Sequence, residues 1–429
     1  MTHHYAFIDI ENDLPMILGA SLGSTFGILM IGCIIYLTYL INTRDKKVAT
    51  LEERLQEENV LSNMYTVQQQ NLADLSDITV EQRKRVKDIY YYSKKEITKD
   101  RFEVGNQIGS GNFGKVFKGD LIGLFSTSSK TTVAMKSIGG QKVDEDELEN
   151  LLCEIEIMMD VPPHLNLVSL IASCASKFEM KGELWLLLEF CQHGDLKNYL
   201  IKNQTKILSG TQLDIINSRC LIKWAYDVAN GMQFLSKNKI MHGDLAARNI
   251  LMDENLIVNE CPVAKVADFG LSKKLNDYAI YEKESREFVP WKWMAMEYLR
   301  DQYFTLTSDV WSYGVLFWEI LSFGKIPYGH QDYDEVVAKL ERGSRLTYPT
   351  YTKSVKIWSP ENLFEELANV CFKADPEARG NFTEVIQILE KALLADELTR
   401  YSQMTIEYET KRAVNYGKIK KRREADLET

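Results

Sequence analysis

The sequence predicts an α+β domain preceded by one transmembrane helix, and three observations lead to this expectation. An uncharged apolar run lies near the N-terminus. Strand-like alternation of apolar and polar residues begins near Arg101, and a buried strand is predicted at residues 183–191. A helix is predicted to begin after Gly194, with Asp195 as its N-cap. Strands therefore precede this helix in the part of the chain that follows the apolar run.

Composition limits the classes of protein to which the chain can belong. Its 429 residues are 45% hydrophobic, 10% aromatic and 26% charged, which suits one large or two medium globular domains and excludes a disordered or collagen-like chain. With 51 Lys and Arg against 61 Asp and Glu, the net charge is −10, so we expect no nucleic-acid partner. The seven cysteines form no C-x-x-C pair and predict reduced thiols (Cys33, Cys153, Cys174, Cys191, Cys220, Cys261 and Cys371).

A transmembrane helix is predicted at residues 16–41, where no side chain is charged. About 25 residues at about 1.5 Å each would span a bilayer core of about 30 Å. A buried core helix would need less length. A cleaved signal peptide is disfavoured because the apolar run is too long and no Lys or Arg precedes it.

Charges on either side of this segment predict its orientation. Acidic residues precede it and basic residues follow it (Asp9, Glu11 and Asp13; Arg44, Lys46 and Lys47). The positive-inside rule then places the N-terminus outside the cell and the rest of the chain in the cytoplasm. Residues 1–15 would form an extracellular stub that is too short to fold. We therefore expect a single-pass protein of the plasma membrane.

Small residues on one face of the predicted helix favour a homo- or heterodimer formed through it. Gly19, Gly23 and Gly27 recur at every fourth position, which would let two helix backbones approach closely. Glycine is common in such helices, so the alternative that this face pairs with nothing stays open.

The juxtamembrane segment, residues 42–97, is polar, and its repeat of apolar residues is too short for a coiled coil. A solvated amphipathic helix or a linker is the expected structure. Its tyrosines at 90–92 are either phosphorylation sites or packing residues.

A glycine-rich string at residues 109–116 predicts a strand–turn–strand cover for phosphate groups. The pattern G-x-G-x-x-G is weak alone, because dinucleotide-binding turns and plain hairpins share it. Here the string Val-Ala-Met-Lys ends at Lys136, with no helical pattern in between, and this favours the phosphate cover.

With these motifs the chain resembles the protein kinase family. The resemblance implies that Lys136 holds the α- and β-phosphates of ATP and that Glu154, on the next helix, is its partner. The spacing to the string at 164–168 favours Glu154. Glu156 is the alternative, and because it would project about 200° away around the helix, the two glutamates cannot both face Lys136. The resemblance also implies that the strand at 183–191 runs into the hinge that binds adenine. The implied ATP-binding residues are Gly109, Ser110, Gly111, Asn112, Phe113, Gly114, Val116, Ala134, Lys136, Leu188, Glu189, Cys191 and Leu251.

Two later strings, at residues 241–251 and 268–270, follow in the order that the kinase family shows. By resemblance, Asp244 orients the substrate hydroxyl and accepts its proton, while Asn249 and Asp268 hold Mg²⁺, or Mn²⁺ as an alternative, against the phosphates. The catalytic residues implied are Asp244, Arg248, Lys136 and Glu154.

The substrate class follows from the same loop. Serine/threonine kinases usually place a lysine two residues after the catalytic aspartate, whereas this chain has Ala246 there and Arg248 two positions later, as in receptor-type tyrosine kinases. The string at 289–294 resembles the platform of tyrosine kinases that supports the substrate backbone. These features imply a kinase that phosphorylates protein tyrosines in cell-surface signalling.

The resemblance covers residues 98–396 and implies a bilobal protein kinase fold, with an N-lobe at 98–190 and a C-lobe at 191–396. The alternative hypothesis is a pseudokinase scaffold that binds nucleotide and partners without efficient catalysis. The presence of every polar motif residue favours the enzyme.

The motifs depart from the family pattern at Gly243, which replaces an arginine that usually pairs with a phosphorylated activation-loop residue. Tyr281, nine residues before Pro290, is the first candidate for that phosphorylation and Tyr278 the second. Without the arginine, we expect weaker switch-like control and intact chemistry. The remaining cationic partners are Lys273, Lys274 and Arg286.

Two structural pairings are also implied by the resemblance. Asp309 is expected to brace the catalytic loop. Glu297 is expected to pair with Arg379, although Met296 replaces the proline that usually precedes this glutamate.

Residues 397–429 are expected to form a polar tail. The string that begins at Tyr401 resembles a docking site for an SH2 domain, and Tyr408 and Tyr416 follow it. The basic run at 418–423 either binds anionic lipid or is a solvated end.

Overall fold

The computed structural model describes residues 38, 40, 41 and 43, and then 74–93, 95–111, 114–124, 129–139, 142–209, 218–258, 261–275, 281–282, 290–349 and 360–426. The chain divides into two compact units, Met1–Asn71 and Leu72–Thr429. Across the described ranges, no helix is both long and apolar enough to cross a membrane. The segment predicted to do so, 16–41, lies almost wholly outside them, so the transmembrane helix stays a prediction.

The N-terminal lobe is built on an antiparallel five-stranded sheet in the order β1-β2-β3-β5-β4. Alternation along β3 places Val133 and Met135 in an apolar core on one face of the sheet. Ala134 and Lys136 therefore point to the opposite face, where the long helix of this lobe lies. The strands are β1 (Phe102–Gly111), β2 (Gly114–Ile122), β3 (Lys130–Ile138), β4 (Leu170–Lys177) and β5 (Glu183–Glu189).

The long helix of this lobe, α2, spans Glu145–Asp160. It begins at Asp144, whose side chain accepts a hydrogen bond from the Glu147 amide at 2.9 Å. Its buried residues recur with helical spacing and form the side that packs on the core (Leu148, Leu151, Leu152, Ile155 and Met158). Helical periodicity thus determines which side of α2 faces the sheet.

The C-terminal lobe is mainly helical. Its central helices, α5 (Ser218–Lys237) and α7 (Leu306–Leu321), are joined through the Tyr313 hydroxyl, which donates to the Ala225 carbonyl at 2.9 Å, and they contribute the fully buried Trp224 and Trp311. The other helices that follow β5 are α4 (Leu196–Ser209), α6 (Met296–Asp301), α8 (Tyr333–Glu341), α9 (Pro360–Cys371), α10 (Phe382–Glu390) and α11 (Ala395–Asp426). Of the remaining two, α1 (Val80–Tyr92) precedes β1 in the chain and α3 (Phe178–Lys181) lies between β4 and β5. The predicted α+β fold with a sheet-rich lobe and a helical lobe is confirmed.

Short antiparallel pairs bring two loops of the C-terminal lobe together. Strands β6 (Ile240–Met241) and β9 (Lys273–Lys274) pair, as do β7 (Ile250–Val258) and β8 (Cys261–Val266). The loop 242–249 connects β6 to β7, and the loop 267–272 connects β8 to β9. The two loops are therefore anchored side by side. A third pair joins β10 (Tyr281–Glu282) to β11 (Tyr303–Phe304).

The expectation that all thiols are reduced is wrong for one pair. Cys220 and Cys261 form a disulfide, with their Cα atoms 5.8 Å apart and 41 positions apart in sequence. Helix α5 packs against β8, and this packing brings the two sulfurs into bonding range. Cys153, Cys174, Cys191 and Cys371 are free, as predicted, and Cys33 lies outside the described residues.

The C-terminal segment, predicted as a polar tail, is instead helical as α11, and the first part of that helix packs on the C-terminal lobe. Tyr401 and Tyr408 are buried, at 7% and 8% exposure. The Tyr401 ring lies 5.0 Å from that of Tyr226. The apolar bodies of these tyrosines, seven residues apart on one helical face, explain the docking of an otherwise polar segment.

The predicted Glu297–Arg379 pair is confirmed. The guanidinium of Arg379 donates to both carboxylate oxygens of Glu297, at 2.7 and 2.8 Å. Both side chains have no exposed surface. Ser308 also donates to this carboxylate at 2.6 Å. The pair joins the start of α6 to the segment before α10.

We predict that Arg379→Ala lowers the free energy of unfolding by about 3–5 kcal/mol, because it leaves the Glu297 carboxylate buried without its cation. Lys391→Ala is the matched control, since its 3.1 Å pair with Glu366 is exposed and should contribute at most about 1 kcal/mol. Chemical denaturation followed by tryptophan fluorescence measures both. Equal losses in the two variants would contradict the structural role of the buried pair.

Candidate active site

A buried ion pair joins the sheet to α2. The ammonium of Lys136 lies 2.5 Å from the Glu154 carboxylate and 3.0 Å from the Asp268 carboxylate. Burial lowers the pKa of Lys136, but Asp268 and Glu154 outweigh that effect, so its pKa lies above the usual value. Glu154 is the partner, as predicted, and Glu156 is bound on another side of the helix. The lysine is therefore a fixed cation.

The catalytic-loop residues predicted from the sequence lie together. The Asp244 carboxylate accepts hydrogen bonds from Arg248 at 2.5 Å and from the Asn249 side-chain amide at 2.7 Å. Asn249 also donates to the Asp244 carbonyl at 2.7 Å. Burial raises the pKa of Asp244 to about 6, against the lowering effect of Arg248. A pKa close to neutrality is the property that a general base requires.

Two carboxylates of α7 hold the backbone of this loop. Asp309 accepts hydrogen bonds from the amides of His242 and Gly243, at 2.7 and 3.0 Å, which confirms its predicted bracing role. Glu319 accepts from the Ala247 amide at 2.9 Å and from the Trp293 indole at 2.8 Å. Burial raises the pKa of Asp309 to about 6 and that of Glu319 to about 7. These hydrogen bonds from α7 fix the backbone of the loop without any contribution from a bound substrate.

Position 243 has a backbone conformation that favours glycine. Its φ is +76°, a region that glycine adopts without strain. A Cβ atom there would lie 3.0 Å from the Leu271 carbonyl oxygen. Asp268 also has a positive φ, of 62°, which is uncommon for a residue other than glycine, and its carboxylate accepts a hydrogen bond from Lys136.

The candidate activation-loop cations already have contacts in the described residues. Lys274 lies 2.8 Å from the Asp160 carboxylate, and Lys273 lies 3.4 Å from the Cys153 sulfur. The backbone of Tyr281 pairs with Phe304 across β10 and β11. Tyr278 and Arg286 lie outside the described residues.

The predicted nucleotide-binding residues lie along the sheet and on the loop below it. Val116 is opposite Lys136, and Ala134 is opposite Leu188, in neighbouring strands. Gly109, Ser110 and Gly111 pair with Val116, Lys115 and Gly114 respectively, so the glycine-rich string forms the predicted hairpin. Leu251 forms an isolated antiparallel β-bridge with Asp195, which follows shortly after Cys191 in the sequence. Asn112 and Phe113 lie outside the described residues.

The carboxylate of Glu189 belongs to a network that the sequence did not predict. It accepts a hydrogen bond from the Ser169 amide at 2.7 Å and from the Lys265 ammonium at 3.0 Å. Lys265 is fully buried and also contacts the Tyr408 hydroxyl at 3.1 Å. The network ties the hinge strand to β8 and α11. A lysine inside the apolar β8 string is the one sequence feature that could have indicated it.

Asn249 and Asp268 fit a divalent cation through the chemistry of their donors. Mg²⁺ prefers hard oxygen ligands, and one or two carboxylates commonly hold it together with substrate phosphates. An amide oxygen and a carboxylate suit that arrangement. Among the described residues, no group of three or more His, Cys, Asp or Glu side chains could hold a metal ion.

Arg248 lies between the catalytic carboxylate and an aromatic ring. Its guanidinium carbon is 4.4 Å from the centroid of a Trp293 ring, and its Nη2 atom lies 2.5 Å from the Asp244 carboxylate. Trp293 belongs to the short turn Trp291–Trp293 within the predicted substrate platform. The platform and the catalytic loop therefore share one anchored arginine.

Residues 102–389 match the family model described as protein tyrosine and serine/threonine kinase. The chain belongs to the protein tyrosine and serine/threonine kinase family. The kinase is 33% identical over 316 residues to a fibroblast growth factor receptor of Halocynthia roretzi, covering 70% of this chain and 39% of the relative. It is 34% identical over 304 residues to the tyrosine kinase receptor Cad96Ca of Drosophila melanogaster, covering 70% of this chain and 36% of the relative.

A third relative is the vascular endothelial growth factor receptor 3 of Coturnix coturnix, 31% identical over 358 residues, covering 71% of this chain and 25% of the relative. The kinase thus spans less than half the length of the curated relatives that it matches. All three relatives are receptors by name, and two are named for growth factors.

Proposed function

We propose that this protein is a membrane-anchored protein-tyrosine kinase that transfers the γ-phosphate of ATP to tyrosine hydroxyls of proteins in cell-surface signalling. The position of Arg248, bonded to Asp244 and stacked on Trp293, carries the proposal. A serine/threonine kinase would usually place a lysine at 246, where this chain has a buried alanine. The relative named tyrosine kinase receptor supports the same substrate class.

In the proposed reaction the tyrosine oxygen forms a bond to the γ-phosphorus, and the bond from that phosphorus to the bridging oxygen of ADP breaks. Asp244 orients the hydroxyl and accepts its proton. Lys136, held by Glu154, donates to the phosphate oxygens. Mg²⁺, or Mn²⁺ in its place, bound by Asn249 and Asp268 would supply positive charge that neutralises the phosphates.

The pseudokinase scaffold is the second candidate and is disfavoured. A chain that only binds nucleotide has no need of a catalytic base. Here the pKa of Asp244 lies close to neutrality, and its carboxylate is bonded to Arg248 and Asn249 and braced by Asp309 through the loop backbone. Preorganised geometry of this kind serves catalysis.

The membrane and partner assignments extend the proposal. The segment 16–41 would anchor the chain in the plasma membrane, with the N-terminus outside and the kinase domain in the cytoplasm. Pairing through Gly19, Gly23 and Gly27 would give a homo- or heterodimer. SH2 domains could bind phosphorylated Tyr401 only if α11 leaves the domain, because this tyrosine is buried and its hydroxyl donates to Asn166. The Tyr416 side chain lies outside the described residues.

We predict that the full chain with Mg-ATP phosphorylates a glutamate–tyrosine copolymer and leaves a serine/threonine copolymer unmodified. Asp244→Asn should lower the rate on tyrosine by about 10²–10⁴-fold, the range typical for loss of a general base. Phosphate incorporation on each copolymer measures both points. Tyrosine phosphorylation no higher in the wild-type chain than in Asp244→Asn would support the scaffold instead.

We propose Tyr281 as the main activation-loop phosphorylation site and Tyr278 as the second, and predict that Tyr281→Phe lowers kcat less than tenfold. No arginine stands at position 243 to bind a phosphate there, and Lys274 already pairs with Asp160. A full ordering switch would cost more. Initial rates of the purified wild-type and Tyr281→Phe chains at saturating substrate decide the matter, and Tyr278→Phe measures the contribution of the second site. A hundredfold loss would overturn this account.

A further inference from the structure

The juxtamembrane helix α1 packs on the kinase domain, where the sequence predicted a solvated helix or linker. A capping box starts it: the Thr79 hydroxyl accepts from the Gln82 amide at 3.2 Å, and the Gln82 side chain accepts from the Thr79 amide at 3.1 Å. Val86 and Ile89 are 3% and 2% exposed and belong to the main apolar core. Apolar contacts therefore dock α1 independently of its charges.

Arg85 of α1 binds two carboxylates of α2. Its Nε and Nη2 donate to the two oxygens of Glu156, at 2.7 and 2.9 Å. Its Nη1 lies 2.8 Å from each oxygen of Glu149. The Arg85 side chain is 19% exposed, so these charge-assisted bonds are partly shielded from water. Glu149 and Glu156 lie seven residues apart, on one face of the helix.

Glu154 projects from a different face of the same helix. Two residues along an α-helix correspond to a rotation of about 200°, so Glu154 and Glu156 point in nearly opposite directions. Glu154 meets Lys136 at 2.5 Å on the inner side, while Glu156 meets Arg85 on the outer side. The helix is therefore held by a cation on each side.

We propose that Arg85 is a positioning residue for phosphoryl transfer, which sets the rotation of α2 and thereby keeps Glu154 on Lys136. The inference rests on the proposed kinase function. Arg85 binds Glu149 and Glu156 simultaneously, at two points along α2. Rotation of α2 about its axis would therefore break several hydrogen bonds at once. That same rotation would draw Glu154 away from Lys136 and release the lysine from its position beside Asp268.

The geometry requires an arginine. A lysine ammonium is a single point charge and cannot bind two carboxylates through a planar fork. Arg85→Lys should therefore restore only part of the function that Arg85→Ala loses. In both variants Val86 and Ile89 would keep α1 docked, so the effect is expected on the rate more than on folding.

The test compares full-length variants in a tyrosine-copolymer assay. We expect Arg85→Ala to lower kcat about tenfold to hundredfold, the size of effect that misplacement of a catalytic group produces, with a smaller loss for Arg85→Lys. The KM for the copolymer should not change. Lys87→Ala removes a cation from the same helix that is 54% exposed and bound only weakly to Glu179, and it should leave kcat unchanged.

A double-mutant cycle identifies the route of the effect. Adding Arg85→Ala to the pair Glu149→Ala and Glu156→Ala should cause no further loss of kcat, because the fork has already lost its acceptors. Thermal unfolding of each variant separates a loss of folded protein from a loss of rate per folded molecule.

Three outcomes would overturn the inference: unchanged kcat in Arg85→Ala, an equal loss with and without Glu149 and Glu156, or a loss explained by unfolded protein. An inactive wild-type chain would instead refute the proposed kinase function. In that case, limited proteolysis of the wild type and Arg85→Ala still tests the positioning role. Equal protection of α2 in the two chains would refute it.

Discussion

The Lys136–Glu154 ion pair is the interaction on which the rest of the structure depends. Both charges are buried, and neither could remain so without the other, since an isolated buried charge is very costly. The pair fixes α2 against β3, and through the second contact of Lys136 it also fixes Asp268. The sheet, the helix and the loop that ends at β9 therefore share one charge centre. Phosphate groups would meet a cation whose position is already set.

The C-terminal lobe uses buried carboxylates to fix the complementary half of the site. Asp309 and Glu319 accept hydrogen bonds from the backbone of the catalytic loop, and Glu319 also holds Trp293. These acceptors belong to the fold and do not depend on phosphorylation. Gly243 has a backbone conformation that glycine adopts readily. It stands in a loop whose backbone is held in place by the carboxylates of α7. The proposal that an activation-loop phosphate exerts only weak control rests on this arrangement.

The sequence predicted which residues come together in the candidate active site because they lie in short contiguous strings. Lys136, Asp244 and Asp268 each stand within such a string, and the spacing to the string at 164–168 favoured Glu154 over Glu156. The fold class followed from the same strings. Contacts between segments far apart in sequence were not predictable from spacing. The Cys220–Cys261 disulfide depends on the packing of α5 against β8, which no local pattern reveals.

The same limit explains the two ends of the domain. Arg85 and Tyr408 stand in polar segments whose composition is typical of solvated chain, and only their distant partners make them structural. Tyr281 was recognised by its distance from Pro290, and the structure adds only that its backbone lies in a short strand. Local sequence patterns thus predicted which residues line the candidate active site, whereas the contacts of the surrounding segments depend on tertiary packing.

The most direct measurement of the central claim is the rate of phosphate transfer to tyrosine per folded molecule in Glu154→Gln. Glutamine preserves the shape and removes the charge that holds Lys136, so the account predicts a loss of about a hundredfold or more in kcat. Asp160→Asn, at the exposed end of the same helix, should behave as wild type. A Glu154→Gln chain that retains the wild-type rate would contradict the claim that this ion pair organises the site.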